Sequence, residues 1–154
     1  MPDILIPLYA LPPLLEPIEG IEIRRPMAHE KSAITEWIAA NFHSGWIGEF
    51  ETSFKSHPVT SFIAVRERRI VGFASYDVTC RAFFGPTGVI TSERGRGVGR
   101  LLLIYSMYGL RELGYAYGII GAAGPVEFYE KTLGGIVIAG SSPGIYPRQS
   151  LLNE

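Results

Sequence analysis

One cysteine, Cys80, stands alone among 154 residues. No disulfide can form within the chain, and a single thiol fits a reducing cytoplasm. No apolar run approaches the ~20 residues that cross a bilayer, and no basic stretch precedes an apolar region at the N-terminus, so neither a membrane span nor a secretory leader is expected. Charge of one sign is also lacking. The formal net charge is −1, whereas a general nucleic-acid surface shows a basic excess. His29, His43 and His57 are scattered, and no His/Cys/carboxylate cluster has metal-ligand spacing, so no metal is expected. What remains is a cytoplasmic globular chain, 47% hydrophobic and 19% charged, of a length that suits one domain with a real core.

Residues 1–19 hold five prolines, Pro2, Pro7, Pro12, Pro13 and Pro17, among Ile4, Leu5, Ile6, Leu8, Leu11, Leu14 and Leu15. That density of proline excludes a long helix, yet the segment is too apolar for a solvated tail. The expectation is an extended arm, lying on its own domain (20–154) or on a second copy in a homodimer.

Beyond the arm, Ile21–Arg24 alternates as a first strand. Residues 28–42 read as a helix with Ile34, Trp37, Ile38 and Phe42 on one face, and 45–55 as a second, weaker helix. Ser61–Glu67 and Ile70–Thr79 form a hairpin turning at Arg68-Arg69, and 83–91 continues the sheet, bent at its start by Gly85-Pro86. Short strands are expected near 136–139 and 145–151.

The most informative stretch is Val89-Ile90-Thr91-Ser92-Glu93-Arg94-Gly95-Arg96-Gly97-Val98-Gly99-Arg100: an apolar strand, a turn of glycine and arginine, then a helix whose buried face is Leu103, Met107 and Leu110. Gly114 is suited to cap that helix in the left-handed conformation. First-turn amides have no intrahelical partner, and glycine lets an anion approach the backbone, so the turn suits a phosphorylated ligand. The G-x-G-x-x-G of dinucleotide folds and the Gly-Lys-Ser/Thr of the Walker loop are both absent. A second segment follows about 30 residues on: the apolar run Gly114–Gly121, then Pro125-Val126-Glu127-Phe128-Tyr129-Glu130-Lys131-Thr132-Leu133-Gly134-Gly135, a short helix opened by proline and closed by paired glycines.

Arg94-Gly95-Arg96-Gly97-Val98-Gly99 fits [Gln/Arg]-x-x-Gly-x-[Gly/Ala], the pyrophosphate loop of the Gcn5-related N-acetyltransferases, the GNAT superfamily. Phe128-Tyr129-Glu130-Lys131 ahead of a glycine resembles its late helix. The resemblance covers residues 60 to 140 well and implies an α/β fold. Its mixed, mostly antiparallel sheet would splay between the strands at 83–91 and 117–121, with helices on both faces.

The resemblance further implies acetyl-CoA as acyl donor to a primary amine, of a small molecule or of a peptide or protein, by direct attack in a ternary complex. Arg94, Gly95, Arg96, Gly97, Val98 and Gly99 would hold the coenzyme A pyrophosphate. Val89, Ile90 and Thr91 would pair with pantetheine through their backbone, and Tyr129 would protonate the departing thiolate. A phenol with a pKa near 10 is protonated at neutral pH, as that role needs. For the general base, Asp77 at the end of the third strand is the carboxylate nearest the expected cleft. Glu49 and Glu51 are weaker options, and Glu93 reads as solvated. The chain departs from the family at Gly121-Ala122-Ala123-Gly124, where an asparagine is frequent. Phe42, Trp46, Phe50 and Phe54 either line an apolar acceptor site or form helix-face core. A coenzyme A-binding module without turnover is the alternative function, and transfer of a longer acyl group is a third.

Overall fold

The structure, a computed structural model, describes residues 1–14 and 16–146. Its strands are β1 (Ile4–Pro7), β2 (Glu22–Arg24), β3 (Ser61–Arg66), β4 (Arg69–Tyr76), β5 (Phe83–Val89), β6 (Tyr117–Ile120) and β7 (Ile136–Val137). The helices are α1 (Lys31–Asn41), α2 (Gly45–Thr52), α3 (Val98–Glu112) and α4 (Val126–Leu133). The strands form one sheet in the order β2-β3-β4-β5-β6-β1-β7. Every neighbouring pair is antiparallel except β5 and β6, which run parallel.

Alternation along the strands sorts side chains to two cores. On β3, Phe62 and Ala64 face the core that contains Leu102, Ile104, Met107 and Leu110 of α3. Ile63 and Val65 face a second core, where Ile34 and Ile38 of α1 and Phe50 of α2 meet Phe73. That period of two on the strands, against i, i+4, i+7 on the helix, places helices on both faces of the sheet. The β3–β4 hairpin turns through Glu67 (φ 49°) and Arg68 (φ 64°); two consecutive left-handed residues match the twist of a two-residue hairpin.

The N-terminal segment differs most from its reading in the sequence. Residues 4–7, expected as an arm upon the domain or a partner, are a strand inside the sheet of their own chain, between β6 and β7. Ile4 and Ile6 are fully buried while Leu5 and Pro7 are only half-buried, the alternation of a strand packed hardest on one face. Burying two such side chains contributes about 3–6 kcal/mol. Pro7 ends the strand, where a missing N–H is tolerated. Past it the chain returns along α3, and the Tyr108 hydroxyl donates to the Pro12 carbonyl at 2.7 Å.

Two boundaries also shift. β4 ends at Tyr76 rather than Thr79, because Asp77 turns left-handed (φ 58°). The strand expected near 145–151 lies mostly outside the described residues, and Ile145 and Tyr146 are bends.

Candidate active site

β5 and β6 pair only at Phe83↔Ile119 and Phe84↔Ile120. Beyond that point they part, and the opening runs from α2 to the start of α3. Three cavities lie along it, of about 560 Å³, 380 Å³ and 250 Å³. The first and second share Phe84, Thr87 and Tyr129. The second and third share Val89, Arg94, Gly99, Arg100 and Phe128. One channel therefore leads from the splay to the glycine-arginine turn, with Tyr129 at the junction of its two inner chambers.

At the outer end, Gly97 is the N-cap of α3 with φ 86°, and no side chain caps the helix. The first-turn amides of Val98, Gly99 and Arg100 lack intrahelical acceptors, and the positive end of the helix dipole lies at the same place. Gly95, Gly97 and Gly99 line the chamber, flanked by Arg94 and Arg100. A Cβ on Gly99 would find only Val89, at 3.7 Å; it would stand in the chamber rather than in protein. Arg96 is exposed and does not line the channel; its guanidinium lies 3.9 Å from Glu93. Arg100, which does line it, was not singled out in the sequence; a basic residue in the first turn of the helix was the available signal.

Glu93, read as solvated, is buried. The Arg66 guanidinium grips it with Nε donating to Oε1 at 2.8 Å and Nη2 to Oε2 at 3.2 Å. This two-pronged bond ties the turn to β3, so Glu93 belongs to the scaffold of the loop.

The middle of the channel is backbone. The Ile90 N–H bonds to the Val71 carbonyl, and the register pairs Phe73 with Gly88 and Ala74 with Thr87. Alternation of an antiparallel ladder then turns the backbone groups of Thr87 and Val89 away from β4, towards the splay. Arg94 Nε occupies the Val89 carbonyl at 3.1 Å, leaving the two N–H groups to the channel. Of Val89, Ile90 and Thr91, only Val89 lines it. The Ile90 N–H is spent within the sheet, and Thr91 opens a 3-10 turn. Thr87 was missed because a strand's pairing phase cannot be read from its residues. Gly88 is required for another reason: a Cβ there would lie 2.7 Å from the Phe42 ring.

Tyr129 is half-buried on α4, and burial raises its phenol above the usual value, so it stays protonated well past neutrality. Phe128 leans edge-on against it, centroids 5.2 Å apart. Phe128 is exposed and lines the two outer chambers.

Asp77 does not line the cleft. Its Oδ1 accepts the Ala82 N–H at 2.7 Å, and its carboxylate also faces the Tyr115 hydroxyl, whose pKa burial and that contact both raise. It closes the β4–β5 turn. The carboxylate in the cleft is Glu49 of α2, whose Oε2 accepts the Thr79 hydroxyl. Glu51 instead faces Lys31 at 3.5 Å. Of the aromatic quartet, Trp46 lines the cleft, while Phe42, Phe50 and Phe54 pack with Phe73 in the second core.

The opposite wall is Gly121–Gly124, and the N-terminal strand braces it. Asp3, buried, accepts the Ala122 N–H through Oδ1 at 2.8 Å, and the Pro2 carbonyl accepts the Ala123 N–H at 2.8 Å. The Asp3 N–H in turn donates to Ser141 Oγ at 2.8 Å, anchoring the loop that brings Tyr146 to the rim. Among the described residues no cluster of metal-ligating side chains occurs, and no helix is long and apolar enough to cross a membrane.

No family model matches the sequence, and comparison with curated proteins gives no match. Solved structures do match. A GCN5-related N-acetyltransferase from Sphaerobacter thermophilus is 23% identical with a TM-score of 0.69, over 89% of this chain and 48% of that one. A GCN5-related glucosamine N-acetyltransferase region of a fungal multi-domain GH3 β-N-acetylglucosaminidase gives 16% and 0.71, over 89% of this chain and 19% of that one. A GNAT-family acetyltransferase from Brucella melitensis, solved in complex with acetyl-CoA, gives 15% and 0.52, over 72% and 80%. The chain spans about half the length of the first of these, or less in the second. Its mixed seven-stranded sheet, parted between β5 and β6 with helices on both faces, is the fold of the GNAT N-acetyltransferases.

Proposed function

We propose that this protein moves an acetyl group from acetyl-CoA to a primary amine, by direct attack of the amine within a ternary complex. The observation that carries the reading is the place of Tyr129, at the junction between the channel from the α3 N-terminus and the cleft that holds Glu49.

The residues fit coenzyme A. The chamber at Gly95, Gly97 and Gly99 offers uncapped amides and two flanking arginines, the donor set a diphosphate needs. Val89 and Thr87 offer backbone N–H groups to an extended amide-bearing arm. Acetyl-CoA supplies the acyl group already activated as a thioester. Thr87, bordering both inner chambers, offers a backbone N–H to a carbonyl oxygen gaining charge. Glu49 takes the proton that a substrate ammonium must lose, directly or through water. Tyr129 gives its phenolic proton to the departing sulfur, and the raised pKa keeps that proton available.

Calorimetric titration with acetyl-CoA tests the donor site, and acceptor-dependent thiol release tests the chemistry. Ligand at about 100 times Kd should also stabilise the fold by roughly 2.7 kcal/mol. Acetyl-CoA binding with no thiol released in the presence of any amine would leave a binding module, and no binding would remove both readings.

A further inference from the structure

We infer that the acceptor is a small amine with one positive charge, a flat apolar body and no carboxylate; this rests on reading the cleft as the acyl-transfer site. Several observations of the 560 Å³ chamber agree. Glu49 is the one charged side chain among the described residues that line it. Thr79 holds its Oε2, while Oε1 accepts no hydrogen bond among the described residues and can receive an ammonium. Among the described residues no lysine or arginine lines the chamber, whose one imidazole is His43, so a carboxylate on the ligand would face Glu49 with no guanidinium or ammonium partner from those residues. A second negative charge about 5 Å away, at an effective dielectric constant near 20, corresponds to a penalty of roughly 100-fold.

The walls select the body. Trp46 stands one turn before Glu49 on α2, and Phe84 and Tyr146 add aromatic surface. Opposite, Gly121–Gly124 presents no side chain larger than a methyl. The N–H groups of Ala122 and Ala123 are already taken by Asp3 and Pro2, so this wall offers a peptide backbone no donor from those two residues and suits a flat apolar face. The volume lies within the range of small-molecule sites.

The test compares 2-phenylethylamine, L-phenylalanine, spermidine and an unblocked tripeptide as acceptors at saturating acetyl-CoA. Equilibrium dialysis of 2-phenylethylamine in the presence of coenzyme A runs alongside. The expected result is a kcat/KM for 2-phenylethylamine about 100-fold above that for L-phenylalanine, and above those for spermidine and the tripeptide. Glu49→Gln should weaken 2-phenylethylamine binding at least tenfold with unchanged acetyl-CoA affinity. Gly124→Arg places a cation where a Cβ meets nothing within 4 Å and should narrow the amine-to-amino-acid ratio at least tenfold. Faster turnover of phenylalanine, spermidine or the peptide would overturn the inference while leaving acetyl transfer standing. Binding of 2-phenylethylamine that depends on Glu49 but yields no product would uphold it and sink the transfer reading. Absence of both binding and turnover of 2-phenylethylamine would overturn it.

Discussion

Asp3 and Ala122, 119 residues apart in sequence, meet where the Asp3 carboxylate accepts the Ala122 N–H at 2.8 Å. Ala122 is left-handed (φ 47°), an uncommon conformation for a residue with a Cβ, and this bond helps to hold it there. The Gly121–Gly124 wall of the cleft is thus shaped by a residue from the opposite end of the chain. Asp3→Ala should leave that amide unsatisfied, costing about 1–3 kcal/mol, and should raise the acceptor KM more than the acetyl-CoA KM. Asp3→Asn, which keeps an accepting oxygen, should restore both. Thermal unfolding and the two KM values check this; equal effects on both substrates would refute a role confined to the wall.

Arg66 and Glu93 form the brace under the glycine-arginine turn. Arg66→Met removes both short hydrogen bonds and leaves the buried carboxylate with only the Arg96 guanidinium, 3.9 Å away, a change that costs up to about 3–5 kcal/mol. Denaturant unfolding should show that loss, and acetyl-CoA should bind more weakly although Arg66 lines none of the channel. The double variant Arg66→Met/Glu93→Leu should recover much of the stability.

Gly97 holds φ 86° at the start of α3. Gly97→Val forces a β-branched residue into that region and narrows the chamber at the α3 N-terminus. A fall of at least tenfold in acetyl-CoA affinity is expected by calorimetry, with a stability cost of roughly 1–3 kcal/mol.

Tyr129→Phe keeps the ring and removes the proton. If Tyr129 is the acid, kcat should fall by roughly 10²-fold or more while the acetyl-CoA dissociation constant stays unchanged. An unaltered kcat would reduce Tyr129 to a wall of the channel.

Glu30 provides a pH signature away from the cleft. Both its oxygens accept from Arg24, at 2.8 and 2.7 Å, and that contact lowers its carboxyl from the ordinary 4.5 to about 2. Because the folded value lies below the unfolded one, the pair stabilises fully above about pH 4.5. That contribution is lost as pH falls towards 2. Between those values the wild type should lose Tm faster than Glu30→Gln, and the two curves should converge near pH 2.

The glycine-arginine turn, the helix behind it and the late helix with Tyr129 were legible because each rests on local physics. Glycine supplies positive φ, the i, i+4, i+7 spacing of Leu103, Met107 and Leu110 fixes a buried face, and Pro125 and Gly134 mark the ends of α4. The strand at residues 4–7 was hidden because proline density pointed to an arm, while Ile4 and Ile6 offer only two turns of an alternation. Glu49 ranked below Asp77 because sequence distance from the loop says nothing of where a left-handed turn at Asp77 sends its carboxylate.

Chain order, residue chemistry and short-range periodicity were enough to give the class of fold, the glycine-arginine turn and the helix that carries Tyr129, since those depend on bonds and faces within a few residues. The cleft itself came from contacts between distant segments: Glu49 held by Thr79, the smooth wall held by Asp3, and Thr87 turned outward by the register of β4 on β5. Each of these is fixed by burial and by the pairing of backbone groups across the sheet, and such pairings are selected by the packing of the whole domain rather than by any local stretch of residues.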